Sequence, residues 1–239
     1  MGKDGHPTPF EQIVAGLREK SQLKADVFDQ CLEVFNLLKD VLSETSNDLN
    51  DMLEEHCNRR VRLEYRDRGR YEAELKFADD VLIFSMHTDI FQFDRNHSIW
   101  KNPYIKEDPS RSYCGVICVY NFLSDSLKYN RTEDLGYLVA RIYVNKDKSF
   151  FVEGKRQKKQ NTSIFGKYTL GREELVSIVQ TAILYTLSFD LLVPPFDIVK
   201  VVSVDQINAK IESAKLRTGK RMGFEYNSDD VINSNEDEN

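Results

Sequence analysis

Apolar and polar residues alternate one by one in two neighbouring stretches, 60–66 and 71–77, on either side of Asp67-Arg68-Gly69. Successive side chains of a strand point to opposite faces, so this alternation predicts an antiparallel hairpin with one buried and one solvated face. The residues expected on the buried face are Val61, Leu63, Tyr65, Tyr71, Ala73, Leu75 and Phe77.

Five more short apolar runs follow the hairpin, and turn-forming residues separate them. They cover 81–86, 90–93, 113–122, 135–144 and 150–156. A long helical pattern precedes the strands, and an apolar helical run, 172–192, follows them. The predicted fold class is α+β: an antiparallel meander sheet of about six or seven strands, with a long N-terminal helix and a buried C-terminal helix packed on it.

The N-terminal part of the chain carries clear helix signals. Thr8, Pro9 and Glu11 form a capping box with a first-turn proline. Apolar residues then recur every three or four positions from Lys24 to His56, a length of roughly 50 Å as a single helix. Because this exceeds the width of most domains, we expect either a break near 43–47 or a projecting part that pairs with another chain.

These patterns divide the chain into three parts. Residues 1–57 form an N-terminal helical segment and a possible dimerisation helix. Residues 58–224 form the α+β sheet domain with its C-terminal helices. Residues 225–239 are rich in Asp, Glu, Asn and Ser, and we expect them to be a disordered acidic tail.

Composition favours a cytoplasmic protein. The N-terminus has no apolar signal region, and the most apolar stretch, 175–189, is shorter than the roughly 20 residues that span a bilayer. Four cysteines in 239 residues do not form a disulfide scaffold. The net charge of −6 argues against wholesale wrapping of nucleic acid.

One strand end is the sharpest candidate for catalysis. Glu153 and Lys155 lie two apart and therefore point to the same side of a strand, and Asp134 stands at the start of the partner strand. This set resembles the D…(D/E)-x-K core of restriction-type nucleases. The resemblance implies metal-dependent phosphodiester cleavage by these three residues, with a divalent metal such as Mg²⁺ as cofactor. The alternative is an ordinary ion pair at a solvated strand end.

The most basic segment by composition, 153–172, follows immediately. It holds six basic residues and a single acid, Glu153, so a nucleic acid is a possible partner through 155–172. The alternative is a solvated loop between a strand and a helix. Its candidate binding residues are Lys155, Arg156, Lys158, Lys159 and Lys167.

The loop 94–104 is the third candidate, because long loops at sheet edges often carry binding residues. Arg95, His97 and Trp100, the only tryptophan, are its candidate contact residues. The alternative is a capping loop whose tryptophan plugs the core.

The preferred interpretation is a non-catalytic binding module that acts through a sheet-and-loop surface or cavity, without cofactor or bound metal. A protein partner or self-association is the expected interaction, with no membrane contact. The enzymatic alternative is the nuclease described above. A second alternative is a small-molecule sensor whose ligand lies between the sheet and helix 172–192.

Overall fold

A computed structural model of the chain describes residues 7–53, 57–132, 134–154, 156–157, 164–189, 196–201 and 203–204. It confirms the predicted fold class, with a long N-terminal helix, an antiparallel sheet and a C-terminal helix. The tail 225–239 lies outside the described residues.

The sheet contains seven strands in meander order. Its main path runs β1-β2-β3-β5-β6-β7, every neighbouring pair is antiparallel, and β4 pairs with β5. The strands are β1 (Glu64–Asp67), β2 (Glu72–Phe77), β3 (Asp80–Met86), β4 (Phe91–Gln92), β5 (Tyr113–Leu123), β6 (Tyr137–Asn145) and β7 (Phe150–Gly154).

The helices precede, interrupt and follow the sheet. They are α1 (Pro9–Gly16), α2 (Gln22–Met52), α3 (Pro103–Glu107), α4 (Ser124–Lys128), α5 (Arg172–Leu187) and α6 (Phe196–Val199). Among the described helices, none combines the length and apolar character needed to cross a lipid bilayer.

The first two helices are continuous through a π-helical turn at Leu17–Ser21. The break expected near 43–47 is therefore wrong. Thr45 and Ser46 are buried there and face the core, and no glycine or proline interrupts 17–53. Tertiary burial outweighs the modest helix propensity of these polar residues. From Pro9 to Met52 the helix is about 66 Å long.

One face of the sheet, the inner face, carries the main core. Ala73, Leu75 and Phe77 lie on it as the alternation predicted, and α2 and α5 cover it. Phe35 of α2 and Val179 of α5 are fully buried in this cluster. Full burial of a large apolar side chain contributes about 1.5–3 kcal/mol, so this face supplies much of the folding free energy.

The first strand is shorter than predicted. Arg59–Val61 forms a 3₁₀ turn, and Val61 is 43% exposed rather than buried. The side chains of α2 hold the shortened strand at both ends. Asn50 hydrogen-bonds both backbone groups of Leu63, and Lys39 Nζ lies 2.8 Å from Asp67 Oδ1. The strand edge at β1 is therefore fixed against the long helix.

The described residues cover the opposite, outer face over only part of its width. Residues 93–112, the loop cap, pack with Phe165 on a second apolar cluster that includes Tyr143 and Phe151. This cluster lies over β5, β6 and β7. On the outer side of β1, β2 and β3 the lining residues instead surround an open cleft.

Candidate functional site

The cleft has a volume of about 1170 Å³. Its floor is the outer face of β1–β3 with the end of β5, and α4 with the residues after it forms the wall. The cationic lining residues are Arg60, Arg66, Arg68, Lys76, Lys128 and Arg131, and the acidic ones are Glu64, Glu74, Asp79, Asp125 and Asp134. The cleft is thus a polar, arginine-rich surface rather than an apolar cavity.

Glutamates on the floor hold several of these cations in place. Arg66 pairs with Glu64 at 2.9 Å, and Arg68 pairs with Glu74 at 3.1 Å. Lys76 lies 3.1 Å from Glu64, and its hydrogen bond lowers the pKa of that carboxyl group. Positive and negative side chains therefore alternate on the floor, and the ion pairs orient the guanidinium groups.

The wall is built by a helix end with a Schellman motif. Arg131 N donates to Ser126 O at 2.8 Å, Asn130 N donates to Leu127 O at 3.3 Å, and Asn130 has a left-handed φ of 47°. The Arg131 side chain is 5% exposed and lies 3.4 Å from Asp134. This buried ion pair fixes the loop that carries Tyr129, which is 37% exposed at the cleft.

Residues 59–70 are not among the candidate binding residues predicted from the sequence, yet this segment borders the cleft. Six arginines stand there against two acids, a local net charge of +4. All six are exposed, and Arg59, Arg60 and Arg62 form no ion pair with any described residue. We call Arg59, Arg60, Arg62, Arg66 and Arg68 the arginine edge. An arginine count in a 12-residue window would have found it.

The proposed nuclease residues have separate environments. Asp134 lines the cleft, where it accepts hydrogen bonds from Ser126 Oγ at 2.7 Å and from Arg131. Glu153 pairs in register with Arg141, and its Oε2 accepts from Arg141 at 2.6 Å and Tyr143 at 3.0 Å. Lys155 lies outside the described residues. The carboxylates of Asp134 and Glu153 have no hydrogen-bond partner in common among the described residues. Metal-dependent cleavage stays a prediction.

The loop residues take part in local packing. Trp100 packs against the second cluster and donates its Nε1–H to Asp94 O at 2.8 Å, and the Arg95 guanidinium lies 4.5 Å from its ring. His97 Nδ1 accepts from Ile99 N, and its ring stacks on Phe93. These contacts favour the capping interpretation of the loop, while a binding role stays a prediction.

The basic segment is only partly described, because Lys158 and Lys159, like Lys155, lie outside the described residues. The Arg156 guanidinium is 5.8 Å from the Tyr185 ring, and Lys167 is exposed. Arg172 forms an ion pair with Glu44 that joins α5 to α2. At least this last cation serves the fold rather than a ligand.

The sensor alternative requires space between the sheet and α5. Leu175, Val179 and Ala182 of α5 are fully buried in the same cluster as the inner face. Side chains of helix and sheet therefore pack directly on each other there. The described cleft lies on the other face, so the sensor interpretation gains no support.

We predict that one ion pair of the loop cap makes stability depend on pH. Lys146 Nζ lies 2.7 Å from Asp108 Oδ2, and this hydrogen bond lowers the pKa of Asp108 from 3.8 to about 2. Because the folded-state pKa is the lower one, the stabilisation is present above about pH 4 and is lost as the pH falls toward about 2. Asp108→Asn keeps the oxygen that caps Pro109–Ser112.

We therefore expect Asp108→Asn to be less stable than the wild type at about pH 6, with the difference vanishing near pH 2. Urea midpoints measured across this range test the prediction. A difference that stays constant down to about pH 2 would show that the ionised carboxylate is not the source.

Neither a cluster of metal-binding side chains nor similarity to known proteins assigns a function to the described residues. Within the described residues, no group of three or more His, Cys, Asp or Glu side chains is placed to hold a metal ion. Comparisons with protein-family models, curated proteins and solved structures found no significant match. The cleft and the arginine edge are therefore the features of the described structure that bear on function.

Proposed function

We propose that this chain is a non-catalytic binding module that holds a single-stranded nucleic acid in the cleft. The observation that carries the proposal is the arginine edge: its Arg60, Arg66 and Arg68 line a cleft of about 1170 Å³, and Arg60 is exposed without a described ion-pair partner. Exposed, unpaired cations beside a concave surface favour an anionic ligand, because the ligand's charge replaces water and counterions rather than an existing partner.

The type of cation favours phosphate. Four of the six cationic lining residues are arginines, whose planar guanidinium presents a fork of donors that matches phosphate oxygens. Alternate residues of a strand lie about 7 Å apart on one side, so Arg66 and Arg68 form a short row, and Arg60 lines the same cleft from the preceding 3₁₀ turn. A flexible phosphodiester backbone has charges at repeated intervals that such a row can contact.

The acidic residues of the cleft limit how tightly a strand binds. Glu64 and Glu74 neutralise part of Arg66, Arg68 and Lys76, so the lining cations without a described ion pair are Arg60 and Lys128. We therefore expect moderate, salt-dependent affinity instead of tight wrapping. This agrees with a chain whose net charge is −6.

Aromatic side chains in the same cleft favour single strands over duplexes. Tyr129 is partly exposed on the wall, and Phe122 lines the floor. Unpaired bases stack on such rings with about 1–3 kcal/mol each, whereas bases in a duplex are already stacked. Backbone contacts at the arginine edge and stacking at the wall together define the ligand class.

Fluorescence anisotropy with a labelled single strand of about 20 nucleotides tests the proposal. We expect micromolar binding at about 50 mM salt for the wild type. Arg60→Gln/Lys128→Gln, which removes two exposed cations of the cleft lining, should bind about tenfold or more weakly, and the slope of log K against log salt should be shallower by roughly 1.4.

The matched control removes two exposed lysines of the loop cap, as Lys101→Gln/Lys106→Gln. It should bind like the wild type, because these lysines lie outside the cleft lining. Equal weakening in both variants would refute the site. Binding of polyglutamate as tight as that of the oligonucleotide would refute the ligand class and point to an acidic protein.

A further inference from the structure

We infer that a bound single strand continues from the cleft onto a base-stacking platform on the outer face of β5, where Phe122 and Tyr120 are successive stacking residues. This second subsite rests on the proposed function, because its ligand is the same strand. The arginine edge contacts the phosphates, whereas the second subsite takes unpaired bases. We call Phe122, Tyr120 and Leu138 the platform.

Strand register places the platform side chains on one face of the sheet. Phe122 and Tyr120 are alternate residues of β5, and such residues point to the same side about 7 Å apart. Val119, next to Tyr120, belongs to the inner cluster, so the platform points outward. Tyr120 lies opposite Leu138 of β6, and residues directly opposite in an antiparallel pair share a face.

A β-bulge keeps Leu138 on the outer face. The register shifts between Val119 and Tyr120, and the two consecutive residues Val139 and Ala140 both belong to the inner cluster. Two consecutive inward residues are what one extra residue in a strand produces. Leu138 is 42% exposed, and Tyr120 beside it is partly exposed. The bulge therefore leaves an apolar side chain and a ring next to each other in solvent.

The platform is continuous with the cleft. Phe122 lines the cleft floor, and so does Val81, its partner in register on β3. The Phe122 ring packs across Gly136, where an added Cβ would clash with it, so this contact fixes the ring from one side. Tyr120 is the next outward residue of the same strand. A nucleic-acid chain that leaves Phe122 along β5 meets Tyr120 next.

The far end of the platform is electrically balanced. Arg141 lies between Cys118 and Glu153 in register, and its Nη2 donates to Glu153 Oε2 at 2.6 Å. The neighbouring Cys118 thiol raises the pKa of Tyr120, so the ring carries no charge at neutral pH. Because the cation already has a carboxylate partner, this surface offers rings and aliphatic groups rather than free charge. Such a surface suits bases, which stack on aromatic side chains with little dependence on sequence.

The platform predicts a contribution to affinity that depends on strand length and not on salt. A strand of about 4 nucleotides occupies the cleft alone, whereas one of about 12 also covers the platform, and both lengths fall within the site sizes of single-strand-binding proteins. In fluorescence anisotropy, Tyr120→Leu should bind the long strand about fivefold or more weakly and the short strand like the wild type. The slope of log K against log salt should stay unchanged, because no phosphate contact is lost.

Two variants separate the platform from the cleft. Tyr120→Phe keeps the ring and should bind both strands like the wild type. Arg60→Gln/Lys128→Gln should weaken both lengths and make the salt slope shallower. If Tyr120→Leu binds the long strand like the wild type, or weakens both lengths equally, the platform is overturned while the double variant still supports the cleft. A wild type that binds neither strand overturns the proposed function and the platform together.

The cysteine at the far end of the platform gives a test that needs no substitution. Cys118 is partly exposed there, two residues from Tyr120. Maleimide labelling followed by peptide mass spectrometry measures the rate at which this thiol is modified. A saturating long strand should slow the labelling of Cys118 several-fold, and a saturating short strand should leave the rate unchanged. An unchanged rate with the long strand overturns the platform.

Discussion

Gly115→Ala is expected to lower the free energy of unfolding by about 3 kcal/mol, because α2 crosses β5 with no room for a side chain there. An alanine Cβ would lie 2.6 Å from both Cβ and Sγ of Cys31. The Cβ atom is fixed to the helix backbone, so no rotamer change of Cys31 relieves the contact. Either the helix or the strand has to move.

Urea unfolding of Gly115→Ala and the wild type measures this effect. Cys31→Ala should not rescue Gly115→Ala, since alanine retains the clashing Cβ. Gly16→Ala is the matched control: with open space around that position, stability should rise by up to about 1 kcal/mol. If Gly115→Ala were as stable as the wild type, the crossing of α2 over β5 would be wrong.

Phe35→Ala should have the largest effect of the side-chain truncations considered, a loss of about 4 kcal/mol. Phe35 is fully buried in α2 and belongs to the cluster that joins this helix to the inner face. The substitution removes the buried apolar surface of the ring. It also leaves a cavity between α2, the sheet and α5, and the loss of packing contacts around this cavity adds to the cost. Such a loss is a large part of the 5–15 kcal/mol typical of a folded domain.

Phe91→Ala deletes the same side chain from the short strand β4, where it is 44% exposed. We expect a loss of about 1 kcal/mol or less for this control. Thermal or urea unfolding of the two variants gives the comparison. Similar losses at both positions would mean that the long helix does not cover the inner face as described.

The sheet was predictable because its signals are local. Alternation of Ala73, Leu75 and Phe77 with charged residues sets the inner and outer faces, and short turns set the meander order. The length of the helix was misjudged near 43–47. The length of the apolar pattern suggested a break there, but burial of Thr45 and Ser46 depends on tertiary contacts that no local pattern shows.

The cleft was not predictable in the same way. It exists because α4 and Arg131 pack near β1 and β2, some 60 positions earlier in the chain. The arginines of 59–70 were visible in the sequence but were interpreted as the solvated face of a hairpin. Only the placement of Tyr129 and Arg131 beside them turns a solvated face into a candidate binding surface.

Photocrosslinking of an oligonucleotide that carries 4-thiouridine, followed by peptide mass spectrometry, tests the position of the binding surface most directly. Crosslinks are expected in 59–76 and 122–131, with Tyr129 among the labelled residues. Crosslinks confined to the loop cap, 93–112, or to the basic segment, 153–172, would contradict the assignment of nucleic-acid binding to the cleft.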